Sequence, residues 1–168
     1  MGVAAYRLTC ELLSTLPIAN VFAFFEDPRN LAKITPPWLR FTVKSDGGLV
    51  MRDGLTIEYE IRWLSLPMRW KSLIVEFQPP VRFADQQLEG PYARWHHHHD
   101  FESIEGGTII RDMVNYALPM GILGRMAHAA AVRWQLLAIF RYRQESLAKL
   151  LPGKTTTIKE PEIQAVPD

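Results

Sequence analysis

Seven residues, Trp95-His96-His97-His98-His99-Asp100-Phe101, constrain this chain more than any others. Four consecutive histidines look like a purification tag, but tags sit at termini, and this run continues a strand-like pattern on both sides. In an extended strand, successive side chains point to opposite faces. Trp95, His97, His99 and Phe101 then share one face and His96, His98 and Asp100 the other, with the two large aromatics marking the first as inward. Gly90-Pro91 reads as the hairpin connection back to Phe83-Ala84-Asp85-Gln86-Gln87, and Glu105-Gly106 as the turn into a strand from Thr108 to Tyr116. Symmetry about Gly90-Pro91 sets Gln87 opposite Trp95, Asp85 opposite His97 and Phe83 opposite His99. The second turn sets His99 opposite Asp112 and Trp95 opposite Tyr116. Opposed residues stand about 4.5 to 5.5 Å apart at Cβ. The expectation is two cross-strand pairs, Asp85 with His97 and Asp112 with His99, on an inward face, and a one-residue slip in either loop would overturn it.

The rest of the chain supplies elements around that hairpin. Tyr6 to Ser14 reads as a first strand. Pro17 suits the first turn of a helix carrying Ile18, Val21, Phe22 and Phe25 at helical spacing. A second short helix follows, with Asp27 as cap and Pro28 just inside; Pro36-Pro37 forbids its continuation. Leu39, Phe41 and Val43 alternate up to a turn signal at Asp46-Gly47-Gly48. Leu55, Ile57, Tyr59, Ile61 and Trp63 alternate without a break. The Met68–Phe77 strand mixes its parity, as a bulge would make it do. After Gly121 and Gly124 the period changes to that of a helix, with Leu123, Met126, Ala130, Trp134, Leu137, Phe140, Leu147 and Leu151 on one stripe. At 1.5 Å per residue such a helix is about 45 Å long. Pro152-Gly153 ends it. The reading is one α+β domain over residues 1–152, with seven antiparallel strands, two short helices after the first strand and a long C-terminal helix, followed by a polar tail over 153–168.

Composition narrows the partners. A chain of 168 residues suits a single domain, and 19 basic against 18 acidic residues leave no excess of charge for nucleic acid. The lone cysteine, Cys10, excludes an internal disulfide and any paired-cysteine metal or iron–sulfur site, which fits a reducing compartment. No apolar run approaches the roughly 20 residues that span a bilayer. The expected location is the cytoplasm, with no cofactor.

The motifs Trp70-x-x-x-Ile74, Phe83-x-Asp85-x-Gln87, Gly90-Pro91-Tyr92, Trp95-x-His97-x-His99-x-Phe101, Asp112-x-Val114-x-Tyr116 and Phe140-x-Tyr142-Arg143 resemble a bacterial branch of the START-related, pollen-allergen-like helix-grip superfamily. That branch is known only as ligand-binding or cell-division-inhibitor-like. The resemblance implies a sheet curved around the C-terminal helix, with a cavity between them for lipids, polyketides, sterols or other apolar molecules. Superfamily members include cyclases as well as carriers and receptors. The Rieske-cluster oxygenases among them need paired ligands that Cys10 alone cannot supply. Similar domains also occur beside sugar-epimerase domains, which suggests an epimerase-like partner.

Four readings stand for Asp85, His97, His99 and Asp112. They form a satisfied polar network that sets strand register, or they recognise the polar end of an apolar ligand. They hold a metal ion through His97 and His99, or they transfer protons as carboxylate-oriented histidines. The expected cavity is lined by Tyr59, Trp70, Phe83, Asp85, Gln87, Trp95, His97, His99, Asp112, Tyr116, Trp134 and Leu137. Binding of a small, mostly hydrophobic ligand is the leading function. A cyclase or hydratase using His97 or His99 with Asp85 or Asp112 is the alternative, and a third is an interaction module that forms a homodimer or engages the epimerase-like partner through His96, His98 and the tail. Arg133, Arg141 and Arg143 read first as a solvated helix face, with reach to a ligand carboxylate or phosphate as the alternative.

Overall fold

The computed structural model describes residues 5–45, 48–63 and 66–167. Strand β1 (Ala5–Ser14) buries Leu8, Cys10, Leu12 and Ser14 in alternation. Helix α1 (Ile18–Phe25) starts after Pro17 and turns Val21, Phe22 and Phe25 inward. The second short helix is a 3₁₀ helix over Pro28–Ile34, where the Asp27 carboxylate accepts the Arg29 backbone N–H at 3.0 Å. Pro36-Pro37 stops it, and a 3₁₀ turn over Pro37–Leu39 follows. Strand β2 (Thr42–Val43) is shorter than its alternation suggests because Leu39 closes that turn and Arg40 takes a left-handed backbone, φ 45°. Asp46 and Gly47 of the expected turn lie outside the described residues.

Strands β3 (Thr56–Trp63) and β4 (Leu66–Gln78) pair antiparallel. The mixed parity of β4 has the expected cause. Trp70, Ser72 and Ile74 are buried, the register on the next strand then shifts between Val75 and Gln78, and Phe77 rather than Glu76 packs on the inward Phe22. Strands β5 (Arg82–Glu89), β6 (Arg94–Ile104) and β7 (Gly107–Ala117) follow as consecutive hairpins. Their register sets Asp85 opposite His97, Phe83 opposite His99, His99 opposite Asp112 and Trp95 opposite Tyr116.

The C-terminal helical segment is α2 (Gly121–Ala127), a π-helical turn (His128–Val132) and α3 (Arg133–Leu150). A π turn inserts one residue into the helix and rotates everything after it. Inward positions therefore fall at Val132, Leu136, Phe140 and Leu147. The unbroken stripe read from the sequence does not hold across this turn: Trp134 is 62% exposed.

Residues 155–166, read as a polar tail, form strand β8 (Thr155–Val166). It pairs with the otherwise open edge of β1, giving eight strands instead of seven. Pro161 falls where the β1–β8 register slips, on an edge strand where its missing N–H is tolerated. Gln144 of α3 donates its amide N–H to the carbonyls of Glu11 (3.3 Å) and Lys159 (3.0 Å) at that slip. The order across the sheet is β2-β3-β4-β5-β6-β7-β1-β8, all antiparallel. One core cluster gathers Phe22, Phe25, Phe83, Phe101 and Leu147, and a second gathers Leu8, Val114, Leu136, Leu137 and Phe140 beneath α3. This is the α+β helix-grip architecture. No helix among the described residues is long and apolar enough to cross a membrane.

Candidate functional site

A cavity of about 540 Å³ lies between sheet and helices. Its walls are largely apolar: Phe25, Leu31 and Ile34 from the helices after β1, Ile57, Tyr59 and Trp70 from the sheet, and Leu136, Ile139 and Phe140 from α3. Met120 and Leu123 line it while being 72% and 60% exposed, which places them at its rim. Toward the centre of the sheet the apolar wall gives way to charge.

That wall is built by the hairpins. Alternation in β6 turns His97 and His99 inward between Asp85 of β5 and Asp112 of β7. The pairing is closer-knit than two separate couples. His97 Nε2 lies 2.9 Å from Asp112 Oδ1 and its Nδ1 lies 3.3 Å from Asp85 Oδ2. His99 Nε2 lies 3.1 Å from the same Asp85 oxygen and its Nδ1 lies 3.0 Å from Asp112 Oδ1. Each histidine therefore lies within reach of both carboxylates, because the i, i+2 rings sit only 3.9 Å apart and diagonal neighbours are close.

Arg143 completes the cluster from α3. Its Nε donates to Asp112 Oδ2 at 3.1 Å and its Nη2 to Asp112 Oδ1 at 3.3 Å. Nη2 also meets His99 Nδ1 at 3.1 Å. A guanidinium can only donate, so that Nδ1 is the acceptor and Nε2 of His99 carries the hydrogen given to Asp85. The guanidinium also lies 5.5 Å from the centre of the Phe25 ring. At 6% exposure it is nearly as buried as the residues around it. Of the three arginines read from the sequence as a solvated face, or as groups reaching a ligand carboxylate or phosphate, Arg143 is buried in this cluster; its signal was its place at helical spacing with Leu136, Phe140 and Leu147. Arg133, by contrast, donates to the Ile163 carbonyl at 3.0 Å on the β8 side.

The electrostatics follow from these contacts. Burial opposes a charge on His97, but hydrogen bonds to Asp112 and Asp85 outweigh it and raise the imidazole above its ordinary 6.5. For Asp112, burial is outweighed by the Arg143 charge and the histidine hydrogen bonds, which hold the carboxyl well below the usual range. Asp85 is held low in the same way by His97 and His99, against burial. Two carboxylates thus face the Arg143 guanidinium and the His97 imidazole, whose protonated form they favour. Nearby, burial followed by the Asp85 charge pushes the Tyr59 phenol up, and its hydroxyl lies 3.2 Å from Ser72 Oγ, which also accepts from Trp70 Nε1 at 3.1 Å. Burial, then the Asp112 charge, raises the Cys10 thiol beyond reactive range.

Of the residues singled out from the sequence, Tyr59, Trp70, Phe83, Asp85, Trp95, His97 and His99 line the cavity. Five others lie elsewhere. Asp112 sits behind the histidines, orienting them. Gln87 braces the Gly90-Pro91 turn, donating to the Tyr92 carbonyl at 2.8 Å. Tyr116 contacts His128 Nε2 at 2.7 Å, beneath a Tyr6 ring stacked on that imidazole. Leu137 packs in the core beneath α3, and Trp134 faces outward for the reason the π turn supplies. Asp85, His97 and His99 also have the spacing of a metal site. Their ring nitrogens are already engaged by carboxylates and Arg143, whose charge opposes a cation there.

Comparison with known proteins agrees with the architecture. A search of curated proteins finds no match. Among solved structures, protein CV1439 from Chromobacterium violaceum superposes with a TM-score of 0.66 at 15% identity, covering 86% of this chain and 96% of that one. Ara h 8.0201 gives 0.56 at 15% identity, over 86% of this chain and 99% of the other. A nucleoside-diphosphate sugar epimerase from Corynebacterium glutamicum gives 0.60 at 21% identity over 84% of this chain, but only 28% of its own length. The model of one family, polyketide cyclase / dehydrase and lipid transport, matches residues 15–140. Residues 15–140 run from the end of β1 through the middle of α3 and so carry most of the cavity, and the chain belongs to that family within the helix-grip superfamily.

Proposed function

We propose that the protein binds a small, mostly hydrophobic ligand, of lipid, polyketide or isoprenoid type, with its polar end against the Asp85–His97–His99–Arg143 wall. The observation that carries this is the conjunction of a largely apolar cavity of about 540 Å³ with one confined polar cluster. The cluster's own bonds use Oδ2 of Asp85 and Nε and Nη2 of Arg143. Asp85 Oδ1 and Arg143 Nη1 are then the atoms for a ligand, one accepting a hydroxyl and the other donating to a carbonyl or carboxylate. An apolar molecule with both groups at one end fits this reading. The family description, which joins cyclases and lipid transport, supports the class.

Binding is favoured over cyclase or hydratase chemistry because proton transfer needs a ring nitrogen free to meet substrate. Both nitrogens of His97 lie against carboxylates, and both of His99 have partners. The cytoplasm is the proposed compartment, in keeping with the lone, buried Cys10. An epimerase-like protein is the proposed partner, supported by the epimerase neighbour in which this fold matches a domain-sized share.

The test is native mass spectrometry of untagged protein from its own cells, with denaturing extraction of what it carries. Wild-type protein is expected to retain an apolar compound that also raises its Tm on re-addition. Ile139→Trp, which fills the cavity from α3, is expected to lose both while staying folded. Equal retention by the two proteins would reject the cavity as the site, and turnover of the compound that His97→Asn abolishes would favour the enzyme.

A further inference from the structure

The histidine run has a second face, and it is also equipped. His96 and His98 alternate with the inward pair and project from the opposite side of β6, their rings 4.2 Å apart. Glu76 reaches them from β4, across the whole width of β5. The residue of β5 in the way is Ala84, which pairs with Val75 on one side and His98 on the other and has no side chain beyond Cβ. A larger residue there would stand between the carboxylate and the rings.

Glu76 is also held in an unusual backbone. It has φ 55° within the β4 bulge, a left-handed conformation that a non-glycine residue adopts only against a steric cost. The bulge flips the parity of β4, so that Phe77 turns inward and Glu76 outward. A strained residue kept at a side-chain cluster is an observation from which function can be argued.

The spacing within the trio is that of metal ligands and too long for hydrogen bonds. Glu76 Oε1 lies 3.5 Å from His96 Nε2, and Oε2 lies 3.7 Å from His98 Nδ1. The three ligand atoms all lie within 4.8 Å of one another. Zinc–ligand bonds near 2.1 Å in a tetrahedron place the ligand atoms about 3.4 Å apart. Both nitrogens are buried and have no hydrogen-bond partner among the described residues, although buried polar atoms ordinarily find one.

We propose that Glu76, His96 and His98 form a binding site for a first-row divalent metal ion of the zinc class, with its fourth position open to solvent. Two imidazoles and one carboxylate suit zinc, copper(II) and nickel(II) over calcium or magnesium. The surrounding charges leave the site negative. Arg82 approaches Glu76 Oε2 at 3.7 Å, but its Nε is held by the Asp100 carboxylate. Arg111, opposite Asp100 on β7, is taken up by Glu11 and Glu102. The inner trio of Asp85, His97 and His99 is the competing site, and there Arg143 sits in the way of a cation.

The experiment is competition titration of metal-free, full-length protein with zinc chloride against a chromophoric chelator at neutral pH. One zinc per chain is expected, and His96→Ala or His98→Ala should weaken it by roughly 100-fold. Glu76→Gln should weaken it by about 10-fold or more, while Asp85→Asn leaves it unchanged. Circular dichroism checks that each variant folds. Three results would overturn the site: no stoichiometric zinc, an affinity that follows Asp85→Asn, or equal affinity in Glu76→Gln and in urea-unfolded wild type, which would mean a flexible histidine run.

Discussion

Arg143 is the residue on which the polar wall depends. Asp112 sits behind two imidazoles in the interior, and its charge is tolerable there because a guanidinium from α3 meets both of its oxygens. Removing one partner of such a pair strands the other. Arg143→Ala is therefore expected to destabilise the fold by about 3 to 5 kcal/mol in urea unfolding. Arg133→Ala, which gives up a single bond to the Ile163 carbonyl, should cost about 1 kcal/mol. Equal losses would refute the special place of Arg143. The four other members were legible from sequence, since strand alternation and two turn signals suffice to bring Asp85, His97, His99 and Asp112 to one face. Arg143 was not, because three arginines on one helix look alike until the phase of that helix is known.

Two elements show how phase and pairing decide what sequence leaves open. The π turn at His128–Val132 carries no composition signal, being mostly alanine, yet it moves Trp134 to solvent and Val132, Leu136 and Phe140 to the inward face. Strand β8 was missed because Thr, Lys and Glu dominate it and only Ile163 and Pro161 are buried. Its reason for existing is the open edge of β1, which is not a local property. The join between β7 and the end of β1 is tight in a way that can be tested. A Cβ on Gly107 would stand 2.0 Å from the Ser14 carbonyl oxygen and 3.1 Å from Thr15 Cα, both backbone atoms. Gly107→Ala should cost about 2 kcal/mol or more by overpacking, read from the urea midpoint. Gly106→Ala meets no such contact, and its loss should reflect only its left-handed φ of 84°.

At the scale of the whole molecule, the buried imidazoles shape the dependence of stability on pH. His97 is raised above 6.5, so the folded state binds more protons than the unfolded one; its contribution is complete below 6.5 and is lost as pH rises through the folded value. His98 and His128 are lowered, mainly by burial, and act in the opposite direction: the unfolded chain takes up their protons first, so they destabilise the fold as pH falls below 6.5. Asp85 and Asp112 are held low, so their contribution is present above the ordinary 3.8 and is lost as pH falls below it. The urea midpoint is expected to peak near pH 6.5 and to decline on the alkaline side by at most about 1.4 kcal/mol per pH unit for one proton. A midpoint that rises steadily from pH 6.5 to 8 would contradict the raised imidazole. The strand order around the histidine run, the inward face of that run and the α+β class can all be read along the chain, because periods of two and 3.6 residues and Gly or Pro turns are local facts. The phase of the helix after the π turn, the pairing of β8, the entry of Arg143 into the cluster and the reach of Glu76 across Ala84 are set by packing. Each of those joins residues distant in the chain, whose contact depends on how the elements pack.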